Sequence, residues 1–276
     1  MPELPEVETI TQDLKKVLVN RTIKEVNVYD HRVLLNEAPI KFIKKVKGKK
    51  IVSIKRRGKA VVIELSPKLN IAIQLKMTGQ LIYAKNDLKK SANCKETKLS
   101  FELSNGYFLN YNDQRIFGKF ILAEDLERVP YFKRLGVEPL GNSFTFSRLE
   151  EGIRSRKIPV KNFLMDQSSI AGIGNIYASE ILFSSRINPL KKTSELTNEE
   201  IQRLFASTVD ILNDAVKHRG TSFRDYRDGA GNKGNFLSRL KVYSREKEDC
   251  LICRGKIARI VQAGRSTFFC KDCQRG

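Results

Sequence analysis

Apolar residues near the start of the chain recur with the period of a helix. Between about residues 7 and 19 they fall on one helical face, at Val7, Ile10, Leu14, Val17 and Leu18. Such spacing predicts an amphipathic helix that packs its apolar side against a core.

From about residue 22 to residue 122 the period changes to two, with turn residues between short apolar runs. This alternation is typical of strands. The predicted strand regions are Ile51 to Leu65, Ile71 to Leu75, Leu99 to Leu103 and Tyr107 to Tyr111. Several strands with little helix between them indicate an antiparallel sandwich, in which the charged segment 85–98 is an exposed loop.

The second half of the chain has helical spacing. Helices are predicted over 147–157, 159–171 and 176–185, and over a long segment from the capping box Thr197-Asn198-Glu199-Glu200 to about Arg219. The glycine turn Gly172-Ile173-Gly174-Asn175 either exposes backbone N–H groups that bind phosphate at a helix start, or closes a plain helical hairpin. The glycine-rich loop 229–234 either closes over a ligand or only connects two elements.

Four of the five cysteines form two C-x2-C pairs, Cys250/Cys253 and Cys270/Cys273. This spacing predicts one structural four-thiolate zinc site, against the alternatives of two disulfides or a redox pair. Apolar residues between the pairs predict a hairpin that turns at 263–267, so that Arg265 lies at its tip. Cys94 receives no role.

These elements define an α+β fold with four parts. We expect an N-terminal antiparallel β-sandwich flanked by an N-terminal helix, then a helix-two-turn-helix domain, and last a C-terminal zinc finger. The predicted borders are 1–130 for the sandwich, 131–140 for a hinge, 141–240 for the helical domain and 241–276 for the finger.

The charge of the chain points to a polyanionic partner. There are 51 basic and 31 acidic residues, a formal net charge of +20, which favours nucleic acid or an anionic membrane surface. No apolar run approaches the roughly 18 residues that span a bilayer, and Glu3, Glu6 and Glu8 stand where a signal peptide would be basic. We therefore expect a soluble protein of the bacterial cytoplasm type, or an organelle or nuclear equivalent, with nucleic acid rather than a membrane as its partner.

Pro2 is the residue with the most distinctive chemistry. If Met1 is removed, Pro2 presents a secondary amine, and attack of that amine on a sugar carbon gives an iminium that cannot lose its charge by shedding an N–H proton. The pKa of an α-amine is about 8, so part of the amine is unprotonated and nucleophilic at neutral pH. The alternative is that Pro2 only begins a helix.

Together these segments resemble the formamidopyrimidine-DNA glycosylase family over the whole chain. The motifs that carry the resemblance are Met1-Pro2-Glu3-Leu4-Pro5-Glu6-Val7-Glu8-Thr9, Arg56-Arg57-Gly58-Lys59, Ile173-Gly174-Asn175-Ile176-Tyr177, Val242-Tyr243, Ala263-Gly264-Arg265-Ser266-Thr267 and Cys273-Gln274. The related endonuclease VIII branch usually has glycine where this chain has Leu4.

The resemblance implies a bifunctional enzyme that removes oxidised purines, such as 8-oxoguanine and formamidopyrimidines, and cleaves the strand by β- and δ-elimination. Pro2 would form the Schiff base at C1′, Glu3 would protonate the opening sugar, and Glu6 would support the site. Lys59 would act as a proton donor in elimination, and Arg265 would grip phosphate and assist the second elimination.

The resemblance also implies a cytoplasmic, nucleoid-associated monomer that binds double-stranded DNA and no membrane, and it implies the DNA contacts. Met77, Arg115 and Phe117 would fill the void left by the extruded nucleotide, Asn175 would contact phosphate with Arg265, and Arg224 would lie on a flap over 221–235. The remaining implied contacts are Glu96, Arg156, Lys157 and Tyr243.

The chain departs from the family pattern at a few positions. Glu96, within Lys95-Glu96-Thr97-Lys98, replaces a DNA-contacting histidine, while Gln74, Lys76 and Ile116 replace more usual residues. Two alternatives remain: an endonuclease VIII-like glycosylase for oxidised pyrimidines, or a damaged-DNA-binding protein without turnover.

Overall fold

The computed structural model describes residues 1–89 and 96–275, which form two compact units. The first unit contains residues 1–133 and 218–237, and the second contains residues 134–217 and those from Ser238 onward. The sequence-based division placed 218–237 in the helical domain, whereas its contacts group it with the N-terminal unit. No helix within the described ranges is long and apolar enough to cross a membrane.

The first unit is a sandwich of two four-stranded antiparallel sheets, which confirms the predicted sandwich. One sheet has the strand order β1-β6-β7-β5 and the other the order β2-β3-β4-β8. The strands are β1 (Ile23–Val28), β2 (Lys50–Arg57), β3 (Ala60–Ser66), β4 (Leu69–Gln74), β5 (Gln80–Ala84), β6 (Thr97–Leu103), β7 (Phe108–Asn112) and β8 (Lys119–Ala123).

Within the described residues, three α-helices accompany the sheets: α1 (Leu4–Leu18), α2 (Pro39–Val46) and α3 (Pro130–Lys133). Helix α1 begins three residues before the predicted start, because Pro5 is tolerated in a first helical turn, where its missing N–H has no partner to lose. Its apolar face packs on β2 and β3 and joins the sandwich core.

Helix α2 is an element that the alternating pattern did not predict. It is only eight residues long, and Phe42 packs its ring against Phe101 of β6 and Phe120 of β8, at centroid distances of 6.5 Å each. These aromatic contacts bury Phe42 completely, so tertiary packing stabilises a helix too short to form alone.

The described part of the second unit contains four α-helices: α4 (Phe146–Arg154), α5 (Val160–Met165), α6 (Asn175–Ser184) and α7 (Asn198–Lys217). The helix predicted over 159–171 is wrong in its second half, since α5 ends at Met165. Asp166 terminates α5 because its carboxylate accepts a hydrogen bond from the backbone N–H of Ser168 at 3.0 Å, which competes with helical pairing.

The C-terminal hairpin pairs β9 (Ile257–Gln262) with β10 (Arg265–Cys270). Gln262 lies opposite Arg265, so the turn consists of Ala263 and Gly264 alone and is shorter than predicted. Both turn residues have positive φ, 47° and 71°, as a type I′ hairpin turn requires. Arg265 is therefore exposed next to the tip of the hairpin.

Replacing Phe42 by alanine should destabilise the first unit by about 3–5 kcal/mol, because it empties the space between α2 and two aromatic rings. Urea denaturation followed by circular dichroism measures the loss. Ile40→Ala is the matched control on the same helix, since Ile40 is 81% exposed and should change stability by less than about 0.5 kcal/mol. Equal effects of the two variants would contradict the assigned packing of α2.

Candidate active site and nucleic-acid interface

The N-terminal end of α1 is buried and ordered by one carboxylate. Pro2, Glu3 and Glu6 are all buried, and Glu6 is only 1% exposed. Glu3 is the extended residue before α1, and its backbone N–H donates to Glu6 Oε2 at 2.8 Å. The other oxygen, Oε1, accepts the backbone N–H of Thr221 at 2.7 Å. Glu6 therefore holds residue 3 and the start of the 221–235 segment together.

Lys59 lies in a two-residue turn between β2 and β3, which corrects the sequence-based placement on a strand. Arg57 pairs with Ala60, so Gly58 and Lys59 form the whole turn. Gly58 has φ of 56°, which fits the first position of a type II′ turn. Arg56, just before the turn, donates from Nε to Glu8 of α1 at 2.7 Å. This ion pair ties the Lys59 turn to the helix that carries Glu3 and Glu6.

Met77, Arg115 and Phe117 form an exposed cluster on two loops. Met77 is 43% exposed and Phe117 is 48% exposed, so both apolar side chains are open to solvent. The Arg115 guanidinium lies 4.6 Å from the centre of the Phe117 ring, and its Nη1 lies 3.5 Å from Met77 Sδ. The structure thus brings together the three residues that the resemblance grouped, as an apolar wedge with a cation in it.

Asp113 is the buried carboxylate that joins the two loops, and we call it the Asp113 hub. Its Oδ1 accepts the hydroxyl of Thr78 and the backbone N–H of Arg115, and its Oδ2 accepts the Tyr111 hydroxyl at 2.9 Å and the Gly118 N–H at 2.8 Å. Burial, with the charge of Asp113, raises the pKa of Tyr111 well above its usual value, so this tyrosine stays a donor. Sequence analysis missed Asp113, whose neighbours in the chain reveal no such role.

Glu96 is exposed, and its backbone carbonyl accepts the N–H of Asp113 at 3.0 Å. The predicted contact of its side chain with DNA stays a prediction. Lys95, which belongs to the same motif, and Cys94 lie outside the described residues.

In the second unit, Asn175 is the first residue of α6 and contacts the finger hairpin. Its Nδ2 donates to the carbonyl oxygen of Ser266 at 2.9 Å. Ser266 directly follows Arg265 in the chain. The preceding Gly174 is extended and lies just before the helix start. The glycine turn therefore joins α6 to β10 rather than only closing a helical hairpin.

Lys161 is a buried residue of this interface that sequence reasoning missed. It is 1% exposed, and its Nζ donates to Asn175 Oδ1 at 2.7 Å, Thr267 Oγ1 at 2.6 Å and the Ser266 carbonyl at 3.2 Å. The three acceptors match the three N–H groups of the ammonium. A lysine among the apolar residues of α5 was the signal that could have identified it.

The other predicted DNA contacts are distributed over both units. Arg156 pairs with Asp166 at 2.6 Å, and Lys157 is exposed. Tyr243 packs its ring on Phe268 at 5.1 Å and donates its backbone N–H to the buried carboxylate of Glu180 at 2.8 Å. Arg224 is exposed on the 221–235 segment of the first unit.

The four cysteine sulfurs fit a zinc ion. They lie within 4.8 Å of one another, with Cys250 to Cys273 at 3.8 Å and Cys253 to Cys270 at 3.4 Å. Tetrahedral zinc–thiolate bonds place sulfurs about 3.8 Å apart. The predicted zinc site is confirmed, and zinc bound there crosslinks the two knuckles of the finger.

Comparisons with known proteins agree with this architecture. Three family models match in order: the formamidopyrimidine-DNA glycosylase N-terminal domain over residues 1–120, the H2TH domain of the same family over 135–227, and the zinc finger found in FPG and IleRS over 247–276. A formamidopyrimidine-DNA glycosylase of Desulforamulus reducens is 38% identical over the whole chain and 99% of its own length. One of Pelotomaculum thermopropionicum is 40% identical, again over the whole chain and 99% of the relative.

Two solved structures are also similar. The MutM (FPG) protein of Thermus thermophilus is 34% identical with a TM-score of 0.87, covering 99% of this chain and 98% of that one. The Lactococcus lactis Fpg in complex with abasic-site DNA is 33% identical with a TM-score of 0.91, covering 99% and 100%.

The sandwich, the glycine turn before α6 and the four-thiolate finger define a DNA glycosylase of the helix-two-turn-helix class. The chain belongs to the formamidopyrimidine-DNA glycosylase family. It is an enzyme of base-excision repair, as this family membership requires.

Removal of the zinc should unfold the finger and leave the sandwich folded, because the metal supplies much of the stability of so small a module. After chelation, amide hydrogen exchange should become fast in β9 and β10 while β2, β3 and β4 stay protected. Simultaneous loss of protection in both sets would contradict a zinc that stabilises the finger alone.

Replacing Asp113 by asparagine should destabilise the first unit by about 1–3 kcal/mol. The side-chain NH2 group of asparagine would replace one of the two carboxylate oxygens, and the N–H or O–H donors that this oxygen accepts would lose their acceptor. Amide exchange of β6 and β7 under native conditions measures the change. Glu25→Gln is the control, since it removes only the exposed ion pair with Lys47 and should cost less than about 0.5 kcal/mol. An Asp113 variant as stable as the control would refute the hub.

Proposed function

We propose that the chain excises oxidised purines from double-stranded DNA with Pro2 as the nucleophile, and then cleaves the strand at the resulting abasic site. The observation that carries the proposal is the buried end of α1, where Glu6 orders Glu3 beside Pro2 and Arg56 tethers the Lys59 turn. A nucleophile, an acid and a cation are thus supplied by one small region.

Base excision begins with the Pro2 nitrogen, which is a free amine once Met1 is removed. The amine attacks C1′, and the electron pair of the glycosidic bond leaves with the base, which takes up a proton. The proline nitrogen loses its N–H proton, the C1′–O4′ bond breaks, and Glu3 protonates O4′. The product is an iminium that joins the protein to C1′ of the opened sugar.

Strand cleavage follows from the electron demand of this iminium. Loss of a proton from C2′ expels the 3′ phosphate, and loss of a proton from C4′ then expels the 5′ phosphate. Lys59 donates a proton during elimination, and Arg265 stabilises the departing phosphate. Water hydrolyses the remaining iminium, which releases the sugar fragment as an aldehyde and restores the Pro2 amine.

The DNA is held by residues of both units. Asn175 and Arg265 contact phosphates, while Met77, Arg115 and Phe117 enter the space that the extruded nucleotide leaves. The exposed apolar surface of Met77 and Phe117 and the donors of Arg115 suit this role, since Arg115 can read an unpaired base. The further contacts in this proposal are Glu96, Arg156, Lys157, Arg224 and Tyr243.

The lesion class is an oxidised purine. A Lactococcus lactis FPG (MutM) that is 33% identical, with a TM-score of 0.90, was crystallised with Fapy-dG containing DNA. Leu4 also favours the purine branch over the endonuclease VIII branch. Action on chromosomal DNA implies a cytoplasmic, nucleoid-associated enzyme.

Borohydride should trap a covalent complex between the protein and DNA that carries a single 8-oxoguanine, because hydride reduces the iminium to a stable amine. Pro2→Gly should reduce strand cleavage by about a hundredfold. Pro39→Gly, at the first position of α2, is the control and should cleave normally. Mass spectrometry must show that Met1 is absent from the active protein.

Three outcomes would overturn this assignment. Unchanged cleavage by Pro2→Gly would exclude the terminal amine as nucleophile, and binding without any trapping by the native protein would favour the silent DNA-binding alternative. Faster excision of oxidised pyrimidines than of 8-oxoguanine would favour the endonuclease VIII-like alternative.

A further inference from the structure

The segment 218–237 is joined to α1 by a second polar contact besides Glu6. Arg219 donates from Nη2 to Asp13 Oδ2 of α1 at 2.5 Å, and from Nε and Nη2 to Asp228 Oδ2 at 3.0 and 2.5 Å. One guanidinium therefore bridges a carboxylate on the helix and a carboxylate within the segment. We call Asp13, Arg219 and Asp228 the latch.

Asp228 is the buried end of the latch. Its side chain is fully buried, and Oδ1 accepts the backbone N–H groups of Ala230 at 3.0 Å and Asn232 at 2.8 Å. The glycine-rich part of the segment is thus folded around this carboxylate. Asp13 adds a direct contact, since its Oδ2 accepts the Gly229 N–H at 3.2 Å.

The backbone of Arg219 and Gly220 brings the latch close to the Glu6 site. Both residues have positive φ, 61° and 74°. A Cβ atom at Gly220 would lie 2.7 Å from Glu6 Oε1, so the chain passes directly against the carboxylate that orders Glu3. The segment is held on α1 at Glu6 and again at Asp13, which are about 10 Å apart along the helix.

The energetics distinguish the latch from an ordinary surface ion pair. An exposed pair contributes little because water and salt screen it. Here loss of the guanidinium would leave Asp228 buried and without its cation, and a buried uncompensated charge is strongly unfavourable. The segment would then have to open or refold to hydrate that carboxylate.

We propose that Arg219 is a positioning residue that holds the 218–237 segment closed on α1, so that the segment can enclose an extruded damaged base. This inference rests on the proposed function. It predicts that the latch matters for removal of a base and not for cleavage at a sugar that has already lost its base. A merely structural role would reduce both activities together.

The test compares two single-turnover rate constants of Arg219→Gln, one for excision of 8-oxoguanine and one for cleavage of a preformed abasic site in the same duplex. Excision should fall by about tenfold, because misplacement of a closing segment raises the barrier of the step that it organises. Abasic-site cleavage should stay within about twofold of the native rate. Arg219→Lys should recover part of the lost excision.

Arg32→Gln is the matched control in the same unit. Arg32 forms a forked pair with Asp30, so this variant also loses one positive charge and one ion pair. Both of its rate constants should equal those of the native protein. A comparison with this control shows whether the loss of one positive charge changes the rates by weakening DNA binding.

A double-mutant cycle tests whether the ion pair itself is responsible. Asp13→Asn should also slow excision, and the double variant Asp13→Asn/Arg219→Gln should lose no more than Arg219→Gln alone. Hydrogen exchange of the 221–235 amides should accelerate by about tenfold in Arg219→Gln while the β3 amides are unchanged.

The latch is refuted if Arg219→Gln excises 8-oxoguanine at the native rate, or if its two rate constants fall equally. It is also refuted if the decrease in excision rate of the double variant equals the product of the decreases of Asp13→Asn and Arg219→Gln. Failure of the proposed function gives a different result, since the native protein would then cleave neither substrate.

Discussion

The buried carboxylate of Glu6 is the interaction on which the proposed catalytic end of the molecule depends. It lies in the first turn of α1, where a negative charge interacts favourably with the helix dipole. Each of its oxygens accepts one backbone N–H, from Glu3 and from Thr221. Two segments that lie far apart in the chain are therefore placed by one side chain, and the desolvation of the carboxylate is offset by those hydrogen bonds.

The same arrangement recurs in other parts of both units. A buried charged group sits where two distant segments meet, and its donors or acceptors are satisfied by both segments. Such groups rarely add much net stability, because desolvation opposes the Coulomb attraction. They do exclude other arrangements, since a shifted segment would leave a buried polar group without a partner. The examples are Asp113, Lys161 and Glu180.

This arrangement has a consequence for function. The exposed wedge of Met77, Arg115 and Phe117 needs a rigid base if it is to enter a duplex, and the Asp113 hub supplies it. In the second unit Lys161 fixes Asn175 against the finger strand that begins with Arg265. Met77, Arg115, Phe117 and Arg265 are thus exposed, while Asp113 and Lys161, which support the loops and the strand that carry them, are buried.

The sequence by itself determined the elements whose signals are local or periodic: the amphipathic α1, the alternation of the sandwich strands, the two C-x2-C knuckles and the basic charge. The ordered combination of short motifs along the chain also identified the family, because the residues of each motif are adjacent in the chain. Only the tertiary structure decided the short α2, the turn position of Lys59, the early end of α5, and the roles of Asp113, Lys161 and Arg219. Each of these depends on a turn geometry or on partners brought close by folding, as Lys161 does on Thr267, 106 positions away, and no local pattern encodes such a pairing.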